Sequence, residues 1–95
     1  LVYILNHAED VLLLLDLSFV PLAQRLLAAC PGLRGVVVMT DREHMNHALL
    51  PQGHVYEDIL AAQPGGLDWP VLDERTASSL CYTSGTTGDP KGVLY

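Results

Sequence analysis

Two short apolar runs, Val11 to Leu15 and Val36 to Met39, flank a segment with the marks of a helix. A continuous apolar run of this length is too short for a buried helix and lacks polar alternation. It reads as a strand covered on both faces, the condition of a parallel sheet. Between the runs, Ser18 is placed to cap a helix whose first turn holds Pro21, tolerated there because its missing N–H has no partner in a first turn. Leu22, Leu26 and Ala29 fall on one stripe with Gln24 and Arg25 outward, and Pro31-Gly32 stops the helix. Strand, helix and strand within about thirty residues make a βαβ unit, whose crossover is expected to be right-handed.

The flanking text is less regular. Leu1 to Ala8 reads as the last turns of a helix with Leu1, Ile4, Leu5 and Ala8 on one face, broken at Glu9-Asp10. Arg42 to Gln52 has weak periodicity. His54 to Ala62 supports a short helix with Tyr56, Ile59 and Leu60 inward, and Pro64-Gly65-Gly66 with Pro70 makes Gln63 to Leu72 a surface connection. Asp73 to Ala77 is expected to form one helical turn, and Ser79 to Thr83 a strand. The fold class is therefore α/β, with mostly parallel strands followed by a strand, a glycine-rich loop and a strand.

Composition narrows the function classes. Apolar residues make up 49% of the chain and charged ones 17%, more apolar cover than a free domain of 95 residues needs. Eleven acids against five bases give a net charge of −6, and Lys and Arg form no cluster, which argues against nucleic acid as a partner. No apolar run approaches the roughly 20 residues of a membrane span. Cys30 and Cys81, without CxxC spacing, read as reduced, buried thiols of a cytoplasmic protein. Leu1-Val2-Tyr3 begins and Gly92-Val93-Leu94-Tyr95 ends in mid-pattern, so both ends read as cut.

The informative segment runs from Tyr82 to Gly92: Tyr-Thr-Ser-Gly-Thr-Thr-Gly-Asp-Pro-Lys-Gly. Its glycines let backbone N–H groups approach an anion, its Ser and Thr hydroxyls can donate to phosphate oxygens, and Lys91 supplies a compact positive charge. Pro90 fixes φ just before that lysine and holds Asp89 extended. The segment reads as a site for the β and γ phosphates of a nucleotide. A Walker A loop is the obvious alternative, but it needs Gly before the lysine, Ser or Thr after it, and a helix starting there. Pro90 and the β-type stretch Gly92-Val93-Leu94-Tyr95 exclude that template, so the loop is expected to join two strands as a hairpin does.

Residues 82–93, YTSGTTGDPKGV, are similar at every position to the signature [YF]TSG[ST]TGxPKGV of the adenylate-forming superfamily. Tyr3 to Asp10, Val36 to Met39 and Tyr56 to Asp58 resemble its fatty or medium-chain acyl-CoA synthetase branch. The resemblance implies that residues 1–95 are part of the large N-terminal AMP-binding domain, with the phosphate loop at 82–92. It implies a carboxylic acid, ATP and coenzyme A as substrates, an acyl-adenylate and then an acyl-CoA thioester as products, and Mg2+ held by a residue outside this segment. Carried over residue by residue, Thr83, Ser84, Thr86 and Thr87 would hold the β and γ phosphates and Gly85 and Gly88 would allow their close approach. Lys91 would bind the same phosphates and act catalytically by neutralising leaving-group charge, or would steady the loop. An amino-acid or aryl-acid adenylation domain and a noncatalytic nucleotide-binding module are the alternatives. Taken alone, the 95 residues are expected to be inactive and poorly soluble.

The remaining reactive side chains have plainer readings. His44 and His47, near Asp41 and Glu43, lack the third and fourth ligands of a zinc site and read as solvated, so no metal residue is expected. Cys81 reads as core packing, and Trp69 as packing against its own domain. Asp16 and Asp41 end strands at the edge where open α/β sheets bind ligands, and are expected to cap or turn the chain there.

Overall fold

Leu12–Asp16 (β1) and Gly35–Met39 (β2) lie side by side as parallel strands in a computed structural model that describes residues 1–84 and 86–95. Leu13 stands opposite Val36 and Leu15 opposite Val38. A third parallel strand, Gly53–Val55 (β3), pairs with β2 and sets Val55 opposite Val38, giving the order β1-β2-β3. The sequence reading began a helix at His54 and missed this strand. Three residues between Pro51 and the helix Tyr56–Ala61 (α3) are too few to show a period, and pairing with β2 is what makes them a strand.

The chain divides into two units, Leu1–Pro64 and Gly65–Tyr95. In the first, the helix Val20–Ala29 (α2) has Pro21 in its opening turn and buries Val20, Ala23 and Leu26. Val20 and Ala23 join Val36, Val38, Met45, Leu50 and Val55 in one core, with Leu13 and Leu15 packed against it. The buried stripe thus turns through Ala23 and Cys30, whereas Ala29, expected inward, is exposed. Ser18, expected to cap α2, makes no such cap. Asp16, expected to cap or turn the chain, caps the 3-10 turn Leu17–Phe19 that leads into α2, accepting from the Ser18 N–H at 2.9 Å and its hydroxyl at 2.6 Å.

The helix Val2–His7 (α1) ends in a Schellman motif: the Asp10 N–H donates to the Leu5 carbonyl and the Glu9 N–H to that of Asn6. Glu9 takes the left-handed conformation, φ 56°, that this motif usually gives to glycine. Leu5 packs with Leu26 and Cys30 in a second apolar cluster. Residues 40–52 return the chain from β2 to β3 and plug the core with Met45 and Leu50, and Leu49's carbonyl accepts from the Gln24 amide of α2. On the sheet face away from α2, Leu12, Leu14 and Met39 are more than half exposed, and Ile59 and Leu60 of α3, expected inward, are exposed too. A six-residue helix has one narrow buried side, and here only Tyr56 and Asp58 are partly covered.

In the second unit, Leu80–Thr83 (β4) and Lys91–Leu94 (β5) pair antiparallel, extended by mutual backbone bonds between Ser79 and Tyr95. Asp73 forms an isolated turn, not a helical one: its carboxylate accepts from the Arg75 N–H and its carbonyl from the Thr76 N–H, which satisfies the local donors without a further turn. Cys81, expected in the core, is exposed on the hairpin, whereas Cys30 is buried; both are free thiols. No helix among the described residues is long and apolar enough to cross a membrane.

Candidate functional site

The hairpin register decides what the glycine-rich segment presents. Leu80 faces Leu94, Cys81 faces Val93, Tyr82 faces Gly92 and Thr83 faces Lys91. Directly opposed residues of an antiparallel pair project from the same side. Thr83, Lys91, Cys81 and Val93 therefore share one side, and Leu80, Tyr82, Gly92 and Leu94 the other. Gly92 has a packing reason to lack a side chain: a Cβ there would stand 3.0 Å from Leu80 Cδ1 and 3.4 Å from Tyr82 Cζ. The Tyr82 ring covers bare backbone.

Between the strands, residues 84 and 86–90 form neither helix nor strand. Thr83 ends β4 and its hydroxyl donates to the Lys91 carbonyl at 3.4 Å. Ser84, Thr86 and Thr87 are exposed, and among the described residues no hydrogen bond or ion pair engages their side chains or the Lys91 ammonium. Gly88 has φ +90°, which an L side chain rarely adopts, and open space where its Cβ would be. Gly85 lies outside the described residues. Lys91 opens a strand, and no helix follows it. The loop thus combines three hydroxyls without partners among the described residues, a glycine at positive φ and one cation, a set whose donors suit an anion.

Carboxylates gather elsewhere, at the C-terminal ends of β1 and β2. The Ser18 hydroxyl, then its N–H, holds Asp16 below the usual carboxylate range. Asp41 is lowered by the His44 N–H at 2.9 Å and by the His44 ring at 2.7 Å. Both act as turn formers, as the sequence predicts. Arg42 pairs with Asp58 of α3 at 3.1 Å. Among the described residues, no group of three or more His, Cys, Asp or Glu is placed to hold a metal ion. The sequence reading left the interplay of Thr83 with Lys91 and of Tyr82 with Gly92 unnoticed. Both follow from the strand register, which the sequence alone does not fix.

A family model described as AMP-binding enzyme matches residues 1–95. The chain is 50% identical over 95 residues to the 3-methylmercaptopropionyl-CoA ligase of Ruegeria pomeroyi, covering 100% of this chain and 18% of that protein. It is 44% identical over 93 residues to the medium-chain-fatty-acid–CoA ligase of Ectopseudomonas oleovorans, covering 98% and 17%. Among solved structures, the anthranilate CoA ligase AuaEII in complex with anthranoyl-AMP superposes with a TM-score of 0.81 at 28% identity, covering 98% of this chain and 17% of the other. The chain therefore spans less than a fifth of the length of these relatives.

Proposed function

Because the chain belongs to the AMP-binding enzyme family, we propose that it is part of the large N-terminal domain of an ATP-dependent acyl-CoA synthetase and that residues 82–92 grip the ATP phosphates. The parent activates a carboxylic acid as its acyl-adenylate, releasing pyrophosphate, and transfers the acyl group to coenzyme A. The observation that carries the reading is the hairpin loop with its unengaged hydroxyls.

Thr83, Ser84, Thr86 and Thr87 donate to phosphate oxygens, and Gly85 and Gly88 let the backbone come close. The Lys91 ammonium offsets charge as pyrophosphate leaves. No helix stands behind the loop, so binding rests on local donors aimed at the anion, and catalysis on their positioning. Magnesium, bound to the phosphates, would supply further charge neutralisation. Its protein ligand is proposed to lie in the remainder of the parent. The free thiols Cys30 and Cys81 support a reducing, cytoplasmic setting.

For the acid we propose a fatty or medium chain, supported by the 44% identity to the medium-chain ligase. A second reading, a short thioether acid, is favoured by the 50% identity to the 3-methylmercaptopropionyl-CoA ligase. Substrate-dependent ATP–pyrophosphate exchange by the full-length protein, with octanoate, palmitate, 3-methylmercaptopropionate and anthranilate, separates these readings. Replacing Ser84, Thr86, Thr87 and Lys91 together by alanine is expected to abolish the exchange. Retention of normal ATP affinity and turnover in that variant would end the proposal.

A further inference from the structure

The segment Tyr82 to Gly92 carries one ammonium, Lys91, and one carboxylate, Asp89. Its formal charge is therefore zero, although its donors suit a polyanion. The plain explanation for a carboxylate two residues from a lysine is an ion pair, and none forms. Asp89 is exposed, and among the described residues neither a hydrogen bond nor an ion pair engages its side chain or the Lys91 ammonium. By contrast, Asp73 of the same unit has local work, accepting from the Arg75 N–H at 2.8 Å and lying 3.6 Å from its guanidinium. Asp89 follows Gly88, at φ +90°, and precedes Pro90, which disfavours the helical region for it.

Covalent geometry limits how far this charge can stand from a bound phosphate. Consecutive Cα atoms are about 3.8 Å apart, so two links keep the Asp89 Cα within about 7.6 Å of those of Thr87 and Lys91. An anion seated on both residues then lies on the order of 10 Å from the carboxylate, about one Debye length at about 0.1 M salt. Like charges at that range in water weaken binding about twofold per charge pair, and the several charges of pyrophosphate compound the effect. As the acyl-adenylate forms, the bond from the α phosphorus to the bridging oxygen breaks, and its electron pair leaves on that oxygen with the β phosphate. Pyrophosphate thus holds one more negative charge at the loop than the same two phosphates held in ATP, and meets more repulsion. We infer that Asp89 is a specificity-determining counter-charge, which loosens the loop's hold on pyrophosphate more than on ATP and so favours release of the product. This rests on the phosphate-loop reading proposed above.

ATP–pyrophosphate exchange by the full-length protein tests it, read as the KM for pyrophosphate and the KM for ATP at two ionic strengths. Asp89→Asn is expected to lower the KM for pyrophosphate about three- to tenfold at about 0.05 M salt, with a smaller fall for ATP. In about 0.5 M KCl the factor should shrink below about twofold, because the charges are then screened. A change in loop shape would not be screened in this way. Asp89→Glu is expected to restore the wild-type values, and Asp89→Lys to lower the KM for pyrophosphate further. A KM for pyrophosphate that Asp89→Asn leaves unchanged or raises would overturn the inference. So would an effect independent of salt, an equal or larger effect on ATP, or failure of Asp89→Glu to restore the values. The loop reading survives any of these results if Lys91→Ala raises both KM values. If Lys91→Ala and Ser84→Ala each leave both unchanged, that reading fails and the inference falls with it.

Discussion

A methyl group placed on Gly53 has nowhere to go. Built on the backbone at the start of β3, it would stand 2.6 Å from Met45 Cε, 2.9 Å from Leu50 Cδ2 and 3.1 Å from Leu50 Cγ. Carbon atoms pack at about 3.5–4.0 Å, so Gly53→Ala must displace both neighbours. Met45 can give way, since its unbranched thioether turns about three bonds. Leu50 has less freedom, being fully buried in the cluster with Val36, Val38 and Val55. Overfilling a packed core costs about 1–3 kcal/mol, and one soft obstruction of two places this site near the middle, about 2 kcal/mol. Alanine's smaller unfolded-state entropy returns about 0.4–1 kcal/mol. A net loss of about 1–1.5 kcal/mol corresponds to roughly five- to tenfold faster opening. Hydrogen exchange of the β2 and β3 amides in the full-length protein reads that factor directly. In a Leu50→Ala background the less yielding obstruction is gone, and the increment should fall to less than half. Unchanged exchange in Gly53→Ala, or an equal increment in both backgrounds, would refute the packing argument.

Two further outcomes are expected. Glu9 pays for a left-handed backbone at φ 56°, about 1–2 kcal/mol for an L residue; Glu9→Gly removes this but loses about 0.5–1 kcal/mol to glycine's freedom when unfolded. A gain of about 0.5–1 kcal/mol should appear as slower amide exchange in α1, and faster exchange would contradict the Schellman assignment. Asp16, lowered from 3.8 by the Ser18 hydroxyl and N–H, contributes stability that is present above its unfolded pKa and lost as pH falls through its lower native one. Asp16→Ala should therefore raise amide exchange at the start of α2 at neutral pH, with the difference from wild type closing below about pH 4. A difference constant from pH 7 to pH 3 would remove the capping role.

What the sequence disclosed followed locality. β1, α2 and β2 were legible because each run is long enough to show its own pattern and Pro21 and Pro31-Gly32 punctuate it. The hairpin was legible because Pro90 and the β-type residues after Lys91 exclude a helix there. Gly53–Val55 was not, since its strand character comes from pairing with Val36 to Val38. Ala29 falls on the i, i+4, i+7 stripe with Leu22 and Leu26, but tertiary packing turns α2 so that Ala23, Leu26 and Cys30 face the core and leave it outside. Ser18 does not cap α2 because a 3-10 turn intervenes, and Asp16 caps that turn. Cys81 was expected in the core as a strand residue, yet its side of the hairpin is shared with Thr83 and Lys91 and is exposed.

The hairpin pairs Thr83 with Lys91 across only eight positions of chain, whereas the parallel sheet must first close the longer excursions through α2 and residues 40–52. A contact so short in sequence incurs little loop-closure entropy and can form early. The same economy carries a hazard: strands have a period of two, so slipping β5 by a single residue would swing the lysine to the tyrosine's side and turn Gly92 toward Thr83. Under the proposed phosphate-loop reading, fidelity of strand alignment is a condition for gripping the nucleotide, and the glycine packed beside Leu80 and Tyr82 is what penalises the misaligned state.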